Sequence, residues 1–210
     1  MGRKRQASEM WAGILFAASL GYGTTVGAAT FNVTRTDDPP PGACQPSDCS
    51  LREAVLAAND TVGPDTIFLQ PETYLVTLNG TESDLTGDLD IRSDLTILGP
   101  ATIDGQAQGR ILKIDDDVDV ALLQLVFENA NTSLATNGSL SGGAIEISGG
   151  SLTVRSTTFR NNKTQSQGGG IHTRDGAVLV VEDSVFIGNG ASSGAGIFVN
   201  GDATIRNSWF

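Results

Sequence analysis

Gly142-Gly143-Ala144-Ile145 recurs as Gly168-Gly169-Gly170-Ile171 and again as Gly194-Ala195-Gly196-Ile197, so 26 residues separate Ile145 from Ile171 and 26 more separate Ile171 from Ile197. A second motif keeps phase with it. SLTVRSTTF ends at Phe159, VLVVEDSVF at Phe186 and ATIRNSWF at Phe210, and the first two continue to Asn162 and Asn189. A period of this size specifies stacked units, each burying its apolar face against its neighbours. Helical repeats are excluded, because every unit holds short β-branched runs bounded by glycine and lacks a 3.6-residue periodicity. The Leu and Asn spacing of a leucine-rich repeat is absent, and a propeller blade needs roughly 40 residues and four antiparallel strands. Landmark spacings of 24 to 27 residues suit one circuit of short strands and turns. The predicted fold is all-β, a right-handed parallel β-helix of such coils with one short N-terminal capping helix, the hand following from the preference of parallel crossovers.

Residue choice then acquires a reason. Phe159, Phe186 and Phe210, with Phe127 from a less regular coil before them, are expected to form one inward stack, and Ile145, Ile171 and Ile197 another. Asn162 and Asn189 should occupy turns where side-chain amides bond neighbouring backbone or each other in a ladder. The glycine pairs, represented by Gly143, Gly169 and Gly196, should mark a corner that needs positive φ or close approach of successive coils. Glycine supplies 26 of the 210 residues, against an average usage of about 7%. The repeat places much of that excess at corners rather than in low complexity.

Three domains are expected: a signal peptide over 1–29, a capping module over 30–89 and β-helix repeats over 90–210. Arg3, Lys4 and Arg5 precede an apolar stretch through Trp11, Ile14, Leu15, Phe16 and Leu20, and small residues Gly27, Ala28 and Ala29 follow. That is the pattern of a secretory leader; the apolar core is shorter than the ~20 residues of a membrane span, the alternative reading. No later segment reaches transmembrane length. In the second region TFNVTRT alternates as a strand, and CSLREAVLAAND reads as the one helix, with Ser50 as N-cap and Glu53 completing a capping box. Leu51, Ala54, Val55 and Ala58 share its apolar face, and Asn59, Asp60, Gly63 and Pro64 stop it. Strand signals TIFLQ and TYLVTL come next. Cys44 and Cys49 lie five positions apart around a proline, a small loop that an oxidising compartment would close as a disulfide; two free thiols are the alternative.

CSLREAVLAAN at Cys49 to Asn59, with TFNVTRTDD before it and GPDTIFLQPETYLVTL and TGDLDIRSDLTILG after it, resembles the CSLREA domain, an N-terminal module of exported bacterial β-helix proteins. The alternating GGAI and FxxN motifs resemble the repeats of polymorphic outer membrane proteins, β-helical passenger domains of autotransporter-like surface proteins. This chain departs from GGAI in its second and third copies, and the third FxxN is cut off at Phe210. What the resemblance implies is an exported or surface location and a β-helical fold; it implies no particular activity.

The charge balance is acidic, 13 Lys and Arg against 24 Asp and Glu for a net −11, which excludes nucleic acid as a partner, since phosphate binding needs a basic footprint. Lyases on β-helices use a basic residue to take a proton beside a uronate carboxylate, often with Ca²⁺, and hydrolases use clustered carboxylates. Candidates for such roles are His172, Arg174 and Asp175 in GGGIHTRDG. Asp115, Asp116, Asp117 and Asp119 are candidates for Ca²⁺, the one cofactor the sequence admits, and Asp84, Asp88 and Asp90 form a second acidic run. Both runs read most simply as solvated turns. His172 follows the inward Ile171, so alternation points it outward to the coil surface, and Arg52, Arg110, Arg155, Arg160 and Arg206 look scattered. The leading expectation is a non-enzymatic, exported, adhesin-like β-helix of the cell surface whose partner is a surface glycan or protein. A polysaccharide lyase or hydrolase is the second reading, and the N-terminal part of a larger autotransporter-like or anchored protein the third.

Overall fold

A computed structural model describes residues 27–78, 85–134 and 141–210. The leader read over 1–29 lies outside the described residues as far as residue 26, and so does Asp84. The described chain is a parallel β-solenoid of about five turns with a single α-helix, as the repeat predicts.

Three runs of parallel strands line the solenoid. The first joins β4 (Leu89–Ile91), β6 (Leu112–Ile114), β8 (Ile145–Ile147), β11 (Ile171–Thr173) and β14 (Ile197–Phe198). The second runs from β1 (Thr30–Asn32) through β2 (Asp65–Phe68), β5 (Leu95–Asp104), β7 (Asp119–Glu128), β9 (Ser151–Arg155) and β12 (Val178–Glu182) to β15 (Asp202–Arg206). β5 and β7 turn a corner partway along. Their second halves pair with β3 (Thr73–Leu75), β10 (Thr158–Arg160) and β13 (Val185–Ile187) to make the third. That corner is a column of residues in the left-handed region: Gln124, Ser156, Asp183 and Asn207, with φ between 49° and 59°.

Pairing in register, coil upon coil, turns a sequence period into stacks of like side chains at roughly 4.8 Å. Ile145, Ile171 and Ile197 align as predicted. The rings of Phe127, Phe159, Phe186 and Phe210 stack with centroids 5.2, 4.7 and 4.9 Å apart. Ile67, Ile97, Leu122, Val154 and Val181 form another fully buried column. Asn162 is completely buried: its Nδ2 donates to Phe127 O at 3.0 Å and to Asn189 Oδ1 at 3.1 Å, while its Oδ1 accepts from the Ala130 N–H. Asn189 repeats the bond to Phe159 O one coil on. A second polar ladder, not read from the sequence, precedes the Phe stack, where the Ser184 hydroxyl accepts from the Thr157 N–H and that of Ser208 from the Ser184 N–H.

The glycine corner divides its labour differently from the expected trio. Gly142, Gly168 and Gly194 carry positive φ of 60° to 68°, and a Cβ on Gly168 would stand 2.3 Å from Ile171 O. Close approach of coils belongs to the next position, where a Cβ on Gly143 would lie 2.1 Å from Gly169 O. The counterpart of Gly143 and Gly169 in the third unit is Ala195; Gly196 instead aligns with Ala144 and Gly170.

At the N-terminal end α1 (Leu51–Asn59) carries the expected capping box and packs against β1, β2 and β4. Glu53 bonds the Ser50 N–H and also the Gly42 N–H, both at 2.7 Å. Arg52 is a strut rather than a scattered surface cation. It is 1% exposed, grips Asp38 through two bonds of 2.8 and 2.9 Å, and donates to Gly87 O. Asp38 in turn accepts from the Thr77 and Leu78 N–H groups, so the arginine ties the helix to the first coil. Cys44 and Cys49 are joined in a disulfide.

Candidate functional site

One corner of the solenoid gathers most of the charged residues singled out in the sequence. Ile91, Ile114, Ile147 and Thr173 end the strands of the first run in register, so the next residues, Arg92, Asp115, Ser148 and Arg174, stack in one column, which Asn200 extends. Backbone bonds fix it: the Asp115, Ser148 and Arg174 N–H groups donate to Ile91, Ile114 and Ile147 carbonyls of the preceding coil. With Lys113, Asp116 and Asp175 beside it, the column lines an open groove of about 1120 Å³. Three cations face three carboxylates there.

The groove cations are held from beneath. Lys113 Nζ lies 3.0 Å from Asp115, and Arg92 reaches both Asp90 and Asp115 at 3.3 Å. Arg174, half exposed, pairs with Glu146, which is wholly buried. Glu146 also accepts from Arg110, and Arg110 donates to Asp88 at 2.7 Å and to Ser141 O at 3.1 Å. A chain of four charges, Asp88, Arg110, Glu146 and Arg174, thus runs from the interior to the groove. Burial and the neighbouring Asp88 carboxylate push Asp90 up to about 6, against the pull of Lys113 and Arg92.

His172 corrects the sequence reading. Alternation does place it on the outer side of its strand, yet it is only 7% exposed. The Gly168 turn packs against its backbone, where a Cβ would stand 2.8 Å from His172 Cα, and residues of the adjacent coils flank the side chain. His172 stacks on Phe198 at 5.6 Å between centroids, its row partner is Glu146, and its Nδ1 has no hydrogen-bond partner. Burial lowers its pKa, Arg174 and Arg110 adding to the effect and Glu146 opposing it. Of the candidates His172, Arg174 and Asp175, the last two line the groove and the first lies behind it.

The two acidic runs separate. Asp115 and Asp116 line the groove, Asp117 takes a left-handed φ of 61°, and Asp119 opens β7, where it accepts from Ser151. Asp88 is a buried ion-pair partner rather than a solvated turn residue, at 5% exposure. Among the described residues no group of three or more His, Cys, Asp or Glu is placed to hold a metal ion. The remaining arginines also find order: Glu182 lies between Arg155 and Arg206 on adjacent strands, and Arg160 pairs with Glu128. A second groove, about 630 Å³, follows the other corner past Pro71, Pro100, Gln124 and Ser156, and Glu72 is the one ionisable residue among those lining it.

Sequence spacing alone does not reveal the network, because Asp88, Arg110 and Glu146 sit in different coils and at different positions of the repeat. The available signal is a charged residue beside an inward aliphatic, as with Glu146 between Ile145 and Ile147.

Among the described residues no helix is long and apolar enough to cross a membrane. No curated protein and no solved structure matches the chain. One family model does: residues 156–174, spanning the Phe159–Asn162 turn and the glycine corner with Ile171, match the Chlamydia polymorphic membrane protein repeat.

Proposed function

We propose that this chain is an exported, non-enzymatic β-solenoid, an adhesin-like scaffold that holds a rigid side-chain array at a bacterial cell surface. The observation carrying this reading is the family match, which falls on the two motifs that build the coils and relates them to a membrane-protein repeat. The N-terminal module supports it. Cys49 to Asn59, which resemble the CSLREA module of exported bacterial proteins, contain the helix that packs on β1, β2 and β4, the kind of cap a solenoid needs at its end. The leader over 1–29 supplies export, and cleavage falls near Ala28 or Ala29. The groove serves binding rather than turnover in this reading: the one imidazole near it, His172, is buried, and the Asp115 carboxylate is paired with Arg92 and Lys113.

The test has two arms. Particles coated with the purified protein should adhere to cells or isolated envelopes, and particles coated with heat-unfolded protein should not. Incubation with pectate, alginate and similar uronate polymers, with and without Ca²⁺, should release no product. Depolymerisation that is lost on His172→Ala or Arg174→Ala would overturn the proposal in favour of a polysaccharide-active enzyme.

A further inference from the structure

We infer that the groove along Arg92, Asp115, Ser148, Arg174 and Asn200 binds a neutral oligosaccharide laid parallel to the solenoid axis. The inference rests on the surface-scaffold reading and gives its array a ligand class. Shape comes first. The five residues occupy successive coils, so the column is straight and extends over four steps of roughly 4.8 Å, a stretch that a short run of pyranose rings would follow.

Lining chemistry narrows the class. Every groove residue is polar, donors alternate with acceptors along the column, and three cations meet three carboxylates. A polyanion needs an excess of cations, which is missing. A lipid or an amphipathic helix needs an apolar wall, also missing. An extended peptide would add to a free sheet edge, yet β6, β8 and β11 are each paired on both sides. A ligand that is uncharged and bears closely spaced groups, each both donor and acceptor, fits what is left. Vicinal hydroxyls meet guanidinium and carboxylate forks in paired hydrogen bonds.

The groove is also supported, unlike a chance surface patch. Buried Glu146, held by Arg110, fixes the Arg174 guanidinium, and Asp90 and Asp115 hold Arg92 and Lys113. Donors fixed before binding lose little freedom on binding. Glu146 is accordingly a positioning residue for Arg174.

Titration calorimetry of the intact protein with maltohexaose, cellohexaose, mannohexaose and chitohexaose, and with heparin hexasaccharide as polyanionic comparator, tests the assignment. At least one neutral hexasaccharide should bind. Arg174→Ala should weaken that binding about tenfold, the equivalent of one hydrogen bond to a charged group, and Asn200→Ala should weaken it too. Arg160→Ala, on another face, should leave it unchanged; circular dichroism checks that each variant is folded. No binding of any neutral hexasaccharide up to about 5 mM, the weak end of specific affinity, overturns the inference. So does binding confined to heparin, or neutral binding that Arg174→Ala leaves intact. Adhesion retained by particles in the absence of sugar binding would remove the groove's ligand while leaving the scaffold reading standing; loss of adhesion would count against that reading separately.

Discussion

Replacing Asn162 by Leu isolates what the asparagine ladder contributes to the solenoid. The substitution is close to isosteric, so it leaves little room for a compensating water. Asn162 is completely buried, and its side chain donates to Phe127 O and accepts from the Ala130 N–H, at 3.0 Å each. Both of those residues are themselves fully buried. Leucine strips a donor from one backbone group and an acceptor from the other. Each unsatisfied buried group costs ~1–3 kcal/mol, so the pair costs ~2–6 kcal/mol. That is a large share of the ~5–15 kcal/mol that ordinarily separates folded from unfolded chains. The neighbouring Asn161 is the control, since its side chain is exposed and its φ is 57°. Glycine tolerates that conformation, so Asn161→Gly should shift stability by no more than ~0.5 kcal/mol. Urea unfolding followed by circular dichroism gives both values, and hydrogen exchange at the Ala130 amide reports the lost acceptor directly. A cost below ~1 kcal/mol for Asn162→Leu, with Ala130 still protected, would refute the ladder's structural role.

Four further outcomes follow from other parts of the fold. Gly168→Ala combines φ of 68° with a Cβ placed 2.3 Å from Ile171 O, whereas a Cβ on Gly176, at φ 82°, meets nothing within 4 Å; in thermal melts Gly168→Ala should lower Tm clearly more than Gly176→Ala, whose cost is the left-handed strain of ~1–2 kcal/mol alone. Arg52→Met leaves Asp38 charged and buried without its partner, a loss of ~3–5 kcal/mol, and limited proteolysis should then cut the region before β4 first. Asp90 is held near pKa 6 in the folded protein against an ordinary 3.8. A raised carboxyl contributes stability that is fully present below 3.8 and is lost as pH rises through 6. Asp90→Asn should therefore gain Tm relative to the unsubstituted protein between pH 4 and pH 7. His172 has the opposite sign: its pKa is lowered, so its contribution is present above its ordinary value and is lost as pH falls. His172→Gln should accordingly flatten the acid limb of the Tm profile, and an unchanged limb would contradict the burial of the ring.

Repetition made the fold readable, because a parallel solenoid pairs each residue with its counterpart one period on. Ile145, Ile171 and Ile197 therefore had to align, and the phenylalanines and asparagines with them. The capping box was equally legible, since Ser50 and Glu53 act within one turn of helix. Arg52 was not: its partner Asp38 is 14 residues away and its carbonyl acceptor Gly87 another 35. His172 shows the limit of strand alternation. A period of two states which side of a strand a residue takes, but whether that side is open depends on what the neighbouring coils and turns stack against it.

By itself the sequence determined the architecture: one coil per repeat, the inward stacks, the glycine corner and the helix that starts the stack. These follow from local spacing and from in-register pairing, which carries any local pattern along the axis. Only the tertiary structure decided where charge ended up. It buried Asp88, Arg110 and Glu146 and brought Arg92, Asp115, Ser148, Arg174 and Asn200 into one column. Those residues do not repeat in kind, so no period announces them. They meet because each follows the end of an equivalent strand, and the solenoid stacks those ends regardless of which side chains they carry.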